Sequence, residues 1–272
     1  MGFVIFKSWL HLRMKFSVLI PALLFVLRVA AQPALYTTAN AHAHNDYRNT
    51  TPYWNAYQHG FGSIEADVYL RSGELIVAHD TQEIRLHRTL EQLYLLPVQS
   101  CLQQNNGSPY PDKTIQLQML IDIKADSVNA LNELIRELEQ HPLLTHTPLV
   151  KWVISGNRPA PGAFNSYPSY IWFDGELNRS YSPDALKKIV MFSDDFARYS
   201  EWKGTGPLPD ADRERLQAAI GLARKAGKTV RFWNAPDTAA AWQEFMKLKV
   251  DFINTDHLAG LDDYLKTFLK NK

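Results

Sequence analysis

The sequence predicts an α/β protein that folds as a single-domain (β/α)8 TIM barrel. Eight short apolar or alternating runs recur between residues 38 and 254, and helical periodicity fills several of the segments between them. Eight strands alternating with helices over about 240 residues suit such a barrel, which typically takes about 250 residues. A doubly wound open sheet is the alternative, but no glycine-rich phosphate loop follows the first run. In a barrel, functional groups lie at the carboxyl ends of the strands.

The eight strands follow from apolar runs or from alternation of period two, and the helices follow from apolar stripes of period 3.6. We place the strands at residues 38–42, 62–70, 115–123, 149–155, 170–173, 189–192, 229–233 and 250–254. The clearest helices are predicted at residues 127–140, 210–226, 237–248 and 258–269. The helix at 127–140 carries one apolar stripe, which is typical of a helix that covers a barrel rather than one that binds a partner.

The composition is that of a folded globular chain without a net electrostatic field. Of 272 residues, 46% are hydrophobic and 21% are charged, and 29 Lys and Arg stand against 28 Asp and Glu. A net charge of +1 gives no reason to expect nucleic acid as a partner. The single cysteine, Cys101, excludes an intramolecular disulfide and any metal centre built from several thiolates.

Residues 1–31 have the pattern of a secretory signal peptide. They contain four basic residues and no acidic one, and an apolar run of twelve residues covers positions 16–27. This run is shorter than the about 20 residues that a helix needs to span a bilayer, which favours a cleaved signal peptide. The alternative is that the segment is not cleaved and serves as a membrane anchor. We therefore expect a signal peptide over residues 1–31 and a barrel over residues 32–272. The mature chain would be secreted or periplasmic, with no transmembrane span.

The second predicted strand carries charged side chains where a barrel strand should be apolar. Glu65 and Asp67 alternate with apolar residues, so the two carboxylates share the face that is directed at the barrel axis. Ionised groups in that position are costly unless they are paired or bind a metal. A turn after this strand predicts a hairpin that pairs Leu70 with Leu75, and this hairpin would return His79 to the two carboxylates.

The third predicted strand supplies another carboxylate and an amine. Asp122 and Lys124 alternate with isoleucines, so both are predicted to face the axis beside the second strand. Asp122 can then converge with Glu65 and Asp67. Three carboxylates without a thiolate form a hard oxygen site that suits one divalent cation, Mg2+ or Ca2+, better than it suits Zn2+.

Two histidines, His42 and His44, lie two residues apart at the end of the first strand. A histidine pair at this spacing is also typical of zinc-dependent amidohydrolases, which need further histidines late in the barrel. The fifth and sixth predicted strands contain no histidine, so this metal-dependent amidohydrolase is a minor alternative. We expect His44, at the strand end, to take part in the chemistry and His42 to lie in the barrel behind it.

Six motifs in chain order resemble the phospholipase C-like phosphodiesterase superfamily, most closely the glycerophosphodiester phosphodiesterase family. They are residues 44–46 (HND), 63–68 (SIEADV), 73–80 (GELIVAHD), 120–124 (LIDIK), 230–234 (VRFWN) and 250–256 (VDFINTD). The paired carboxylates followed by His-Asp are the most specific of these motifs. The resemblance covers nearly all of residues 32–272, although strands four to six match only in pattern.

The resemblance implies a distorted TIM barrel and a metal-dependent phosphoric diester hydrolase. It implies that Glu65, Asp67 and Asp122 hold one divalent cation, Mg2+ or Ca2+, and that His44 and His79 are the catalytic pair. Histidines in this role act as general acid and base at the entering and leaving oxygens of a phosphodiester. The implied substrate is a glycerophosphodiester or a (lyso)phospholipid-like diester, that is, a small or lipid-derived phosphodiester.

Three side chains are candidates for contact with the substrate. Asn45 stands where the family has an arginine that meets the phosphate, so Lys124, or alternatively Arg48, would have to supply the positive charge. Trp233 ends the seventh predicted strand and could pack against a headgroup, by a cation–π contact if that group were quaternary ammonium. The missing arginine keeps open a second hypothesis, a catalytically silent barrel that binds a phosphorylated ligand.

Overall fold

The computed structural model describes residues 1–2, 33 and 35–270. The predicted signal peptide lies almost wholly outside the described residues, and it stays a prediction. In the part of the chain that is described, no helix is both long enough and apolar enough to cross a membrane.

Within the described residues, nine strands form one sheet that curls into a nearly closed barrel. Their order around the sheet is β8-β7-β6-β5-β4-β2-β1-β9, and all of these neighbours are parallel. The strands are β1 (Ala41–Ala43), β2 (Ser63–Arg71), β3 (Glu74–Val77), β4 (Leu117–Ile123), β5 (Val150–Gly156), β6 (Ile171–Glu176), β7 (Ile189–Asp195), β8 (Thr229–Trp233) and β9 (Ile253–Thr255). The predicted TIM barrel is confirmed, since each of the eight predicted runs contains or overlaps one of the parallel strands.

The barrel closes between β8 and β9, the two ends of the strand order, by a few backbone contacts. The N–H groups of Asp251 and Phe252 donate to the carbonyl of Val230, at 3.1 and 3.3 Å. Arg231 and Phe252 also form a parallel bridge. This seam is sparser than the ladders elsewhere, so the barrel is nearly rather than fully closed.

Eight α-helices separate or flank the strands. They are α1 (Trp54–Gln58), α2 (Leu96–Gln104), α3 (Ser127–Glu139), α4 (Pro142–His146), α5 (Pro183–Lys188), α6 (Asp210–Lys225), α7 (Ala239–Leu248) and α8 (Leu258–Lys270) among the described residues. The four helices predicted from periodicity correspond to α3, α6, α7 and α8 within two residues at each end. Side-chain caps support some of these starts, for example the Thr238 hydroxyl, which accepts the Ala241 N–H at 3.2 Å at the start of α7.

A β-hairpin is the main departure from a regular barrel. β3 pairs antiparallel with the end of β2 in the register predicted from the sequence, with Leu70 opposite Leu75 and Val68 opposite Val77. The turn residues Ser72 and Gly73 both have positive φ, 51° and 82°, which fits a two-residue turn that follows the twist of the strands. The hairpin carries the chain back towards the carboxyl end of β2.

Because side chains alternate along each strand, one set packs against the helices and the other set faces the inside of the barrel. The outward residues of β2 (Ile64, Ala66 and Val68) are fully buried in the main core beneath the helices. A small apolar cluster inside the barrel contains Leu120, Val153 and Met191. Above that cluster, towards the carboxyl ends of the strands, the inward positions are polar, and these residues form the candidate site.

Candidate metal and catalytic site

Glu65, Asp67 and Asp122 converge at the carboxyl ends of β2 and β4. One carboxylate oxygen from each residue can be chosen so that the three atoms lie within 4.8 Å of one another. The sheet sets this geometry, because Asp67 lies directly opposite Asp122 in the β2–β4 ladder and Glu65 points the same way two residues earlier. The convergence expected from the sequence is therefore present, while the metal-binding role stays a prediction.

Glu65 is held in its ionised form by two buried partners. Its Oε2 lies 2.7 Å from His42 Nε2 and 2.9 Å from Arg231 Nη1. Burial by itself would raise the pKa of Glu65, but the hydrogen bond from His42 and the charge of Arg231 outweigh it and hold the pKa well below the usual range. Arg231 thus links β8 to β2 across the interior of the barrel.

His42 belongs to a hydrogen-bonded chain behind Glu65. Gln118 Nε2 donates to Ser63 Oγ at 3.0 Å, and Ser63 Oγ lies 2.7 Å from His42 Nδ1. Both ring nitrogens are engaged, since Nε2 also lies against Glu65 Oε2 and Arg231 Nη1. Burial and the neighbouring Arg231 lower the pKa of His42 to about 3, so the ring is neutral. Neither ring nitrogen is left for a metal, which disfavours the amidohydrolase alternative.

Asp67 has one crowded oxygen and one that lacks a partner. Its Oδ2 accepts from Tyr47 Oη at 2.7 Å and from His79 Nδ1 at 3.0 Å, and it lies 2.8 Å from Lys124 Nζ. Its Oδ1 is buried with no hydrogen-bond partner among the described residues. Burial and the charge of Glu65 raise the pKa of Asp67 to about 6, against the opposing effect of Lys124.

A divalent cation fits this donor set on three grounds. Asp67 Oδ1 is buried without a partner, and such an oxygen costs free energy unless something binds it. The candidate ligands are all carboxylates, the type preferred by Mg2+ and Ca2+. Gly156 on β5 also leaves room, since a Cβ there would collide with Asp122 Oδ1. Glu65, Asp67 and Asp122 are thus the residues that would hold the ion.

His79 is oriented from both sides by the β2–β3 hairpin. The hairpin places Ala78 N–H 3.1 Å from the Asp67 carbonyl, and the next backbone N–H, that of His79, donates to Glu83 Oε2 at 2.9 Å. The ring Nδ1 is fixed by Asp67 Oδ2 and lies 3.1 Å from Tyr47 Oη. With 45% of its side chain exposed, His79 lines the cavity and has its other ring nitrogen available.

His44 is paired with a carboxylate from the last strand. Its Nδ1 lies 2.9 Å from Asp256 Oδ1, and its backbone N–H donates to the Thr255 carbonyl at 3.0 Å. Burial would lower the pKa of His44, but the hydrogen bond to Asp256 and the charge of Glu65 outweigh it and raise the pKa above its usual value. Asp256, which follows β9, is thus the partner of His44.

Asn45 lies beside the histidine rather than in the wall of the cavity. Its Nδ2 is 2.9 Å from His44 Nδ1 and 3.4 Å from Asp256 Oδ1, and its Oδ1 lies 2.6 Å from Tyr47 Oη. It is absent from the described residues that line the cavity, and its contact with a substrate stays a prediction. Arg48, the alternative source of positive charge, is exposed and also absent from this lining.

The cavity next to the carboxylates has a volume of about 410 Å3. Lys124 lines it and bridges two ligand candidates, with Nζ 2.8 Å from Asp67 Oδ2 and 3.1 Å from Asp122 Oδ1. These carboxylates raise the pKa of Lys124 although burial opposes them, so the amine stays charged. Trp233 also lines the cavity and is 39% exposed at its rim.

Sequence reasoning missed Tyr47 and Arg231. Arg231 was detectable, because it alternates with apolar residues in β8 as Glu65 does in β2. A charged side chain that faces the inside of an apolar barrel is costly unless it is paired with an opposite charge. Tyr47 had no such signal. It lies in a short 3-10 turn after β1, and only the fold shows that its hydroxyl meets Asp67, His79 and Asn45.

Family profiles match both parts of the chain that contribute to this site. The profile of the AIM6-like phosphodiesterase domain matches residues 35–152, and that of the glycerophosphoryl diester phosphodiesterase family matches residues 229–259. All six motifs identified in the sequence lie within these two spans. The resemblance to phospholipase C-like phosphodiesterases is confirmed.

The relatives of this phosphodiesterase-like chain include two fungal proteins. Altered inheritance of mitochondria protein 6 of Kluyveromyces lactis is 25% identical over 300 residues, covering 83% of this chain and 72% of that protein. A homologue of the same name from Arthroderma benhamiae is 24% identical over 265 residues and covers 82% of each chain. These names state no reaction.

A solved structure supports the fold. A glycerophosphodiester phosphodiesterase from Parabacteroides distasonis superposes with a TM-score of 0.51 at 15% sequence identity, covering 84% of this chain and 96% of that one. At this level of identity the likeness shows a shared barrel fold and nothing finer.

Proposed function

We propose that the protein is a metal-dependent phosphoric diester hydrolase. The observation that carries the proposal is the grouping of three carboxylates within 4.8 Å of one another, beside a cavity that His44, His79 and Lys124 also line. When bound there, a divalent cation, Mg2+ or Ca2+, would neutralise a nonbridging phosphoryl oxygen and so lower the barrier to substitution.

In this proposal His44 and His79 move the protons. Each is oriented through Nδ1 by a carboxylate, His44 by Asp256 at 2.9 Å and His79 by Asp67 at 3.0 Å. A histidine anchored in this way keeps its ring direction and tautomer, so the other nitrogen can take a proton from the entering oxygen or give one to the leaving oxygen. Each histidine contributes about 10²- to 10⁴-fold to the rate.

Lys124 supplies a fixed positive charge to the phosphate. Its ammonium is already within 3.1 Å of both Asp67 and Asp122, so a phosphoryl group near these carboxylates would also lie near Lys124. We infer that Lys124 takes over from the arginine that Asn45 replaces. A substrate hydroxyl next to the phosphate would attack phosphorus and lose its proton to one histidine, while the bond to the other alcohol breaks and that alcohol leaves with a proton from the second histidine. The cyclic phosphate formed in this way is then opened by water to a monoester.

The proposed substrates are glycerophosphodiesters and (lyso)phospholipid-like diesters. A cavity of about 410 Å3 holds a headgroup of this size, and the indole of Trp233 at the rim offers a face for an alkyl or quaternary ammonium group. We further propose that residues 1–31 direct export, which N-terminal sequencing of the secreted chain would test.

Phosphorus NMR of the purified chain tests the function. We expect glycerophosphodiesters or lysophospholipids to give a monoester or cyclic phosphate with Mg2+ or Ca2+, and no product after chelation. His44→Ala and His79→Ala should each abolish the product, whereas His146→Ala, an exposed histidine on α4, should leave it unchanged. Turnover that persists in both site variants would refute the pair. Phosphodiester binding without product would favour the silent barrel instead.

A further inference from the structure

A second cavity lies at the opposite end of the barrel, where the strands begin. It has a volume of about 240 Å3, and the residues that line it include Gln116, Leu117, Lys151, Val190, Thr229 and Phe252. No acidic residue is among the described residues of this lining. The small apolar cluster of Leu120, Val153 and Met191 lies higher in the barrel, so this cavity is distinct from the candidate catalytic cavity.

Lys151 reaches into this cavity because of its place in β5. Its strand neighbours Val150 and Trp152 belong to the main core beneath the helices, whereas Val153 belongs to the cluster inside the barrel. Alternation therefore turns Lys151 inward, where it lies opposite Gln118 of β4. No hydrogen bond or ion pair reaches its ammonium from the described part of the chain.

Nearby polar groups do not compensate this charge. Lys228 lies close enough to act on Lys151 electrostatically, and its own Nζ donates to the Leu186 carbonyl at 2.6 Å. The Thr229 hydroxyl donates to the Val190 carbonyl at 3.2 Å and is therefore not available to Lys151. Burial lowers the pKa of Lys151, as expected for an ammonium that lacks an acceptor. A partly buried cation without a counter-ion is costly, and an anionic ligand would remove that cost.

We propose that this cavity binds a small carboxylate, with Lys151 as its counter-ion and the apolar wall around its alkyl chain. Lys151 is the one cation in the described lining and matches a single negative charge, while the side chains of Val190 and Phe252 offer little to hydrate a divalent anion such as phosphate. The volume of about 240 Å3 exceeds the ~150 Å3 of an apolar protein cavity that holds benzene, so a carboxylate of four to six carbons fits. This proposal does not depend on the phosphodiesterase activity.

Titration of the full chain with butyrate, followed by NMR of 13C-labelled lysine side chains, tests the proposal. We expect one lysine signal to shift and to be absent in Lys151→Met. Because a charge-assisted hydrogen bond contributes about 1.5–3 kcal/mol, butyrate should bind that variant at least about 10-fold more weakly. The control Lys203→Met removes an exposed lysine and should bind butyrate as the wild type does.

Two further results decide the matter. Without ligand, Lys151→Met should be at least as stable to heat as the wild type, since an apolar side chain replaces a buried unpaired charge. No lysine shift with butyrate in the wild type, or phosphate binding as tight as butyrate binding, would overturn the carboxylate site. This wild-type titration remains decisive even if the variant fails to fold.

Discussion

At the residue scale, the candidate site depends on how two histidines are held rather than on their presence. His44 and Asp256 come from opposite ends of the chain and meet only because β1 pairs with β9. His79 is anchored by Asp67, which is also a candidate metal ligand. The two histidines therefore have different electrostatic surroundings, and this difference can reveal which proton each one moves.

Asp256→Asn should change the pH dependence of turnover. The hydrogen bond and charge of Asp256 raise the pKa of His44 against the effect of burial, so removing the charge should lower that pKa. The limb of the kcat/KM profile that belongs to His44 then moves to lower pH. A shift of the acidic limb identifies His44 as the base, and a shift of the basic limb identifies it as the acid. Asp263→Asn, an exposed change on α8, is the control, and an unmoved profile in Asp256→Asn would contradict the pairing.

Tyr47→Phe should lower kcat by about 10- to 100-fold, since a hydrogen bond to a charged group contributes about 1.5–3 kcal/mol. The hydroxyl lies between Asp67 and Asn45, and its loss frees both side chains while the ring still fills the core. Steady-state kinetics and thermal unfolding measure the two effects. Tyr110→Phe removes another buried hydroxyl, which donates to the Phe61 carbonyl at 2.5 Å, and should affect stability only. Equal kcat values in the two variants would count against a positioning role for Tyr47.

At the element scale, the helices stabilise the barrel and the strand ends carry the polar groups. α3 contains five buried residues: Ala130, Leu131, Leu134, Glu137 and Leu138. The spacing of Leu131, Leu134 and Leu138 was visible in the sequence, because the periodicity of apolar residues is a local property, whereas the burial of Glu137 was not. The β2–β3 hairpin was predictable for the same reason, since alternation and a turn fixed its register. The pairing of β1 with β9 has no local signal and was implied only by the predicted closure of the barrel.

Leu134→Ala on α3 should lower the free energy of unfolding by about 2–5 kcal/mol, the range for truncating a buried leucine. Metal affinity should not change, because the void left by the truncated leucine lies under α3 and not near the carboxylates at the strand ends. Val128→Ala on the same helix alters a side chain that is 49% exposed, and should shift stability by no more than about 0.5 kcal/mol. Chemical denaturation measures both variants. A large effect of Val128→Ala would indicate that this face of α3 is packed against something else.

At the scale of the whole molecule, a buried ion pair spans the barrel. Arg231 on β8 and Glu65 on β2 are 2.9 Å apart and almost fully buried. Both residues are inward charges in apolar strands, but only Glu65 was singled out from the sequence. The reason is physical: a carboxylate motif suggested a metal ligand, whereas the partner of a buried arginine is fixed by the three-dimensional arrangement. The fold class, the grouping of the carboxylates and the return of His79 to Asp67 were therefore predictable, whereas the contacts made by Tyr47, Asp256 and Arg231 were not.

Arg231→Met should destabilise the protein by about 3–5 kcal/mol, because it leaves the charge of Glu65 buried with only His42 beside it. The double variant Glu65→Gln/Arg231→Met should recover part of this loss, since neither buried charge then remains. A double-mutant cycle measured by chemical denaturation gives the coupling. If the two single effects simply add, the pair does not stabilise the closed barrel.

The central claim is that one divalent cation on Glu65, Asp67 and Asp122 makes this barrel a phosphodiesterase. The most direct measurement is phosphorus NMR of phosphodiester turnover after chelation and stepwise return of Mg2+ or Ca2+, run in parallel on the wild type and Asp67→Asn. We predict that wild-type turnover returns and saturates at one ion per chain, and that Asp67→Asn neither binds the ion tightly nor turns over. Full turnover by the chelated wild type, or wild-type metal affinity in Asp67→Asn, would contradict the claim.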